Sequence, residues 1–173
     1  MKKINLRADC ASCSALCCMA LAFDRSSLFA IDKAAGQACP HLDECGACLI
    51  HHERAERGFA GCISFDCLGA GQRATQFFSG GSDWRKDPSL IEPMSRAFGQ
   101  LLRAHEYLSL LDLAETLDIS ATERDVLEEL RTSLEDAGID GREIAAVQSR
   151  IDTFLKSLNG YVSKERPTLA LSD

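Results

Sequence analysis

All nine cysteines of the chain fall between Cys10 and Cys67, and residues 71–173 contain none. This segregation constrains the fold more than any other feature. A stretch this rich in thiols and this poor in large apolar side chains makes a weak core by itself, so something besides hydrophobic burial must close it. A single free cysteine is ordinarily a small buried hydrophobe, but that reading does not account for a set of nine. No apolar run approaches the length of a membrane span. The longest early one, Ala15 to Phe23, is short and follows the charged Arg7 and Asp9, which makes it a poor signal peptide. The expected compartment is therefore the reducing cytoplasm, where clustered thiols hold metal or do redox chemistry rather than form disulfides. An odd number of cysteines also leaves one unpaired in any disulfide framework.

The densest motif is Cys10-x2-Cys13-x3-Cys17-Cys18. Thiolates this close in sequence converge on one soft cation at little loop-closure cost. If the segment is helical, Cys10, Cys13 and Cys17 share a face and Cys18 points aside, free to serve a second site. Further thiols stand at Cys39 before Pro40, in Cys45-Gly46-Ala47-Cys48, and at Cys62 and Cys67, enough for two tetrathiolate sites with one cysteine left over. Cys45-Gly46-Ala47-Cys48 also has the form of a dithiol redox motif, but no βαβ pattern surrounds it and no histidine follows directly for haem attachment. His41, His51 and His52 are expected to hydrogen-bond a thiolate or stand in solvent rather than to ligate metal.

Other chemistry finds little support. Gly69-Ala70-Gly71-Gln72-Arg73 lacks the lysine and hydroxyl of a phosphate loop and reads as a tight turn. Asp32, Asp43, Glu44 and Asp66 make no acid and base pair, and no nucleophile elbow or Ser-His-Asp order is present. The formal charge is −7, most of it beyond residue 70, which argues against affinity for nucleic-acid phosphates.

The second half reads as helices. Ser79-Gly80-Gly81-Ser82 has the composition of a flexible joint, and Asp87-Pro88 supplies an N-cap with proline at the first helical position. Leu90, Ile91, Met94, Phe98, Leu101, Leu102, Leu108 and Leu111 then recur at helical spacing, predicting a helix to about Leu117. Ser120 and Glu123 form a capping-box pattern ahead of Val126, Leu127, Leu130 and Leu134, ending near Gly138. Asp140 caps a third helix with Ile144, Val147, Ile151, Phe154, Leu155 and Leu158 on one face and Asn159-Gly160 as its stop. Short connections favour an antiparallel bundle. Phe98, Tyr107, Leu110 and Leu113 extend beyond one narrow face of the first helix, which predicts a homodimer or a protein partner there.

The cysteine pattern of the first half resembles the YkgJ-like cysteine-cluster family, described as zinc- or iron-chelating. The matching positions are Cys10, Cys13, Cys17 and Cys18, Cys39 before Pro40, Cys48 before Leu49-Ile50-His51, and Cys62 and Cys67 after Arg57. A closer likeness is to the amino-terminal region of bacterial, largely actinobacterial, pentapeptide-repeat proteins. It is carried by Arg7-Ala8-Asp9-Cys10, Ala30-Ile31-Asp32-Lys33, Arg57-Gly58-Phe59, Gly61-Cys62, Asp66-Cys67 and Gly69-Ala70-Gly71-Gln72, and continues through Asp83-Trp84-Arg85. The chain has no run of the five-residue repeat, so their β-helix does not carry over. The resemblance implies Cys10, Cys13, Cys17, Cys18, Cys39, Cys48, Cys62 and Cys67 as metal ligands, with Cys45 outside the set.

The expectation is a mainly α protein: a metal-stabilised cysteine-cluster domain over residues 1–72, a bundle of about three helices over 83–161, and a tail over 162–173. Zinc is the favoured metal and an iron–sulfur cluster the alternative; thiol redox chemistry stays open, and neither membrane nor nucleic acid is an expected partner.

Overall fold

A computed structural model describes residues 3–78 and 83–162. The expected joint at Ser79 to Ser82 and nearly all of the expected tail, from residue 163 on, lie outside the described residues. The protein is mainly α-helical, with a cysteine-rich N-terminal region followed by a helical bundle. In chain order the α-helices are α1 (Leu16–Ala20), α2 (Ala60–Ser64), α3 (Ala70–Phe77), α4 (Ile91–Glu115), α5 (Ala121–Asp136), α6 (Gly141–Ser157) and α7 (Asn159–Val162), with 3₁₀ turns at Cys10–Ser12 and Pro88–Leu90. Among the described residues β-pairing is confined to two isolated antiparallel bridges, Phe23 with Lys33 and Leu42 with Cys48. The chain forms two compact units that divide inside α4, between His105 and Glu106.

The first unit has a core of its own. Leu16 and Met19 of α1, Ile50, Phe59, Ala70 and Ala74 of α3, and Met94, Ala97, Phe98 and Leu101 of α4 are all buried. Phe98 is fully buried, correcting its expected place on a leftover surface; full burial of such a side chain is worth roughly 1.5–3 kcal/mol. Phe23 stacks on Phe29 at 4.3 Å and meets Phe59 edge-on at 6.5 Å, forming an aromatic wedge beside the loops. The Phe29 ring lies on Gly61, where a Cβ would stand 2.2 Å from a ring carbon, so only glycine admits this packing. Trp84 donates its indole N–H to the Ser14 carbonyl at 2.7 Å, tying the segment before α4 to the first cysteine motif.

In the second unit the predicted caps form. Ser120 and Glu123 complete a reciprocal capping box at the start of α5, and Asp140 accepts from the amides of Arg142 and Glu143 at the start of α6. Leu127, Leu130 and Leu134 of α5 and Ile144, Val147, Ile151 and Phe154 of α6 are buried where the two helices pack. The C-terminal part of α4 completes the bundle: Tyr107 donates to Asp152 of α6 at 2.9 Å, and the buried Arg131 of α5 reaches Asp112 at 2.6 Å and Glu115 at 3.2 Å. α6 stops just before Asn159-Gly160, as expected, and the short α7 then opens there.

Candidate metal centre

The first cysteine motif is not one helix. Asp9 caps a 3₁₀ turn by accepting from Ala11 N–H at 3.1 Å and from the Ser12 hydroxyl at 2.7 Å, and Ala15 then takes a left-handed conformation (φ 54°) before α1 starts. Cys10 and Cys13 therefore lie on the turn, while Cys17 and Cys18 lie in α1. The expected shared helical face of Cys10, Cys13 and Cys17 is replaced by a bend that brings two short elements together.

The remaining thiols are placed by loops. Cys39 N–H donates to the Cys18 carbonyl at 3.1 Å, and Leu42 N–H to the Cys39 carbonyl at 3.1 Å. The Leu42–Cys48 bridge continues the chain of contacts to Cys48. Arg54 then spans the His51 carbonyl (2.8 Å) and the Cys62 carbonyl (3.1 Å), joining the turn after Cys48 to α2. Cys67 precedes a tight turn in which Asp66 accepts from Leu68 N–H at 2.8 Å and Leu68 has φ 49°.

A glycine marks where two of these elements meet. A Cβ on Gly71, in the first turn of α3, would stand 2.7 Å from Cys13 Sγ and 3.8 Å from Cys67 Sγ. The two sulfurs flank one bare spot on the helix. Cys17 and Cys18 bring their sulfurs to 3.9 Å. For comparison, an ion holding four thiolates tetrahedrally at about 2.3 Å spaces its sulfurs about 3.8 Å apart.

All nine thiols are free, and none belongs to the buried core; Cys10 and Cys45 are exposed and the rest half-buried. Burial, joined by the charges of Cys17 and Cys67, pushes the Cys10 thiol up. Burial likewise pushes Cys13 up to about 11, with Cys17 and Cys67 again adding to it. The Cys17 thiol is raised chiefly by its hydrogen bond with Cys18 and then by burial. At Cys62 burial comes first, followed by the charges of Cys39, Cys17 and Cys48. Cys17 thus acts on Cys10, Cys13 and Cys62 and is hydrogen-bonded to Cys18. The Cys45 carbonyl accepts from the Arg85 guanidinium, which is itself paired with Asp83.

The candidate donor set is all sulfur, the chemistry a soft cation takes, and Cys13 Sγ packs against the bare Cα of Gly71. Among the described residues, however, no three His, Cys, Asp or Glu side chains converge closely enough to hold an ion as they stand.

Over 131 residues, 76% of its length, the chain is 39% identical to the uncharacterized protein YybG of Bacillus subtilis. The matched region is about half of that relative, 46% of its length. No protein-family model and no solved structure matches the chain.

The histidines divide differently from expectation. His41 packs edge-on to Phe59 at 5.0 Å, and His51 and His52 stack edge-on against each other at 5.2 Å. The histidine beside the thiol loops is His105, 1% exposed, whose Nδ1 lies 2.6 Å from the Leu68 carbonyl, next to Cys67. Sequence reading missed it because it comes from α4, far along the chain, and looks there like any polar residue of a helix. Nothing in the sequence marks Lys33 or Arg54, and Gly71, expected in a tight turn, lies in the first turn of α3. Their signal is three-dimensional.

Proposed function

We propose that the first unit is a thiolate metal-binding module, with zinc the favoured ion, and that the helical unit presents α4 to a protein partner or to a second copy of the chain. The reading is supported above all by one observation: all nine thiols are free, with the sulfurs of Cys17 and Cys18 3.9 Å apart and those of Cys13 and Cys67 both beside Gly71. Chance burial would have put free cysteines into the core, and none is there. The likeness to YkgJ-like proteins points the same way. Zinc is favoured because a structural role needs no redox change, and because closing these loops is what such an ion contributes to folding. With the Cys13 thiol held up at about 11, metal uptake at neutral pH must release protons, so affinity falls as pH falls.

The alternative is an iron–sulfur or dithiol redox centre on the same cysteines, favoured by the 3.9 Å approach of Cys17 and Cys18. Metal and acid-labile sulfide are measured on protein purified without oxygen, alongside its visible absorption. Zinc without sulfide or colour supports the first reading, and iron with equal sulfide supports the second. A chain that takes up neither metal when reduced overturns both metal readings and leaves the dithiol, which a thiol–disulfide exchange assay then tests.

Among the described residues no helix is long and apolar enough to cross a membrane. Leu110 and Leu113, three residues apart on α4, are 43% and 63% exposed. Light scattering over a concentration series tests the dimer: a mass that stays monomeric, and that Leu110→Glu leaves unchanged, leaves only a heterologous partner.

A further inference from the structure

Cys17 and Cys18 are neighbours in α1, and their sulfurs stand 3.9 Å apart, in contact. The backbone beneath them is pinned on both sides. Leu16 and Met19, which flank the pair, are fully buried. Ala15, in its left-handed conformation, accepts from the amides of both Cys18 at 3.0 Å and Met19 at 3.2 Å. The Ser14 carbonyl is held by the Trp84 indole at 2.7 Å, the Cys18 carbonyl by Cys39 N–H at 3.1 Å, and Met19 Sδ by the Ser95 hydroxyl at 3.3 Å. Both thiols are half-buried, so part of each remains on the surface.

Adjacent thiols have two ways to be joined: by a bond to each other, or through one atom that bonds both. A direct disulfide requires the backbone to move. Neighbouring Cα atoms lie about 3.8 Å apart across a trans peptide, short of the roughly 4.4–6.8 Å that a disulfide spans. A single bridging atom asks much less. At about 2.3 Å per bond, as in zinc–thiolate complexes, it spaces its sulfurs about 3.8 Å apart, close to the separation of this pair. Soft, thiol-seeking elements fill that role, and the number of thiols each takes decides between them. Zinc takes four donors, whereas arsenic(III) carrying one organic group has two valences left and is completed by this pair. With the backbone already held, little freedom is lost when the bridge closes.

We propose that Cys17 and Cys18 form a vicinal dithiol site for monosubstituted arsenic(III), the class to which phenylarsine oxide belongs. Each thiol gives up its proton and forms one As–S bond. The arsenic-bound oxygen leaves with both protons as one molecule of water, and arsenic stays trivalent, so no oxidant or reductant takes part. The site does not rest on the metal-binding reading, because it takes two thiols and no further ligand; where zinc uses the same cysteines, the two compete. Cys45 and Cys48, two residues apart in a turn and with Cys45 exposed, are the internal rival for the same reagent.

The test adds one equivalent of phenylarsine oxide to the full-length chain, as purified and kept reduced. Thiols left free are alkylated, the arsenical is removed with a small dithiol, and the thiols it had covered take an isotopically heavy label that peptide mass spectrometry reads. The heavy label is expected on Cys17 and Cys18 together, with one phenylarsenic group per chain in the intact mass. Retention against a competing monothiol is expected to fall about 100-fold or more in Cys17→Ser and in Cys18→Ser, because one-point attachment replaces two, and to keep its wild-type level in Cys45→Ser. A first equivalent that lands on Cys45 and Cys48, or on any pair other than Cys17 and Cys18, overturns the proposal. So does a serine variant at either position that holds the arsenical as tightly as wild type. Should those variants fail to fold, the labelling of wild type decides alone. The zinc content of the same preparation tests the metal-binding reading separately, and either result can fail while the other stands.

Discussion

At the scale of single residues, the two kinds of cysteine make opposite predictions. Cys17 shares its surroundings with Cys10, Cys13, Cys18 and Cys62, whereas Cys45 is exposed and engaged through its backbone by Arg85. Cys45→Ser is expected to retain the full metal content by elemental analysis, and Cys17→Ser to lose at least one ion per chain; the reverse order would dissolve the proposed ligand set. His105 gives a pH dependence. Burial lowers its pKa, outweighing the bond to the Leu68 carbonyl, with Arg73 lowering it further. A depressed imidazole pKa means that the unfolded chain binds the proton more readily. The stability contributed by neutral His105 is therefore complete above the ordinary value of 6.5 and is lost as pH falls through the depressed folded value. The gap in urea midpoint between wild type and His105→Gln, which keeps a donor for Leu68 but does not titrate, should narrow on acidification from pH ~7.5 to ~5.5. A gap that widens would show that the imidazolium is accommodated.

At the scale of elements, the helices of the second unit are locally consistent, and their most deeply buried charge is Arg131. Its side chain is 5% exposed, while Asp112, Glu115 and Glu128 are 36%, 50% and 70% exposed. Removing the arginine leaves carboxylates that can turn to water. Removing Asp112 leaves a buried guanidinium with only longer contacts, at 3.2 Å and 3.5 Å. Asp112→Ala is therefore expected to cost more than Arg131→Met in urea unfolding, by about 1–2 kcal/mol, because a stranded buried charge is worse than none. Equal losses would mean that Glu115 and Glu128 compensate fully. The elements of the first unit work differently. A five-residue α1 and a five-residue α2 are too short to persist without tertiary support, so the loops between them depend on their cross-contacts.

At the scale of the whole molecule, the two compact units should respond differently to metal removal. The bundle after Glu106 buries its own leucine and isoleucine faces and has its own caps. The segment between Cys10 and Cys67 buries Leu16, Met19 and Ile50 beside the Phe23, Phe29 and Phe59 wedge, but its helices are only five residues long. Chelation of the metal-loaded protein should open protease sites before Gly71 while α5 and α6 stay protected, as read by mass spectrometry of limited digests. Unchanged protection before Gly71 would show that the loops stand without metal.

The sequence alone determined the helical half. Capping at Ser120 and Asp140 and the apolar spacing of Leu127, Leu130, Leu134, Ile144, Val147 and Ile151 are local signals, decided by hydrogen bonds and periodicity within a few residues. The sequence also carried the candidate ligand set as a pattern of cysteine spacings, but not how those cysteines are held. Only the tertiary structure decided that Cys10 and Cys17 belong to different elements, that α4 divides between two units, and that Lys33, Gly71 and His105 stand beside the thiols. The reason is physical. A buried charge, a missing Cβ and a ring bonded to a distant carbonyl have meaning only relative to groups that the folded chain brings near them, and residue spacing along the sequence does not encode that distance.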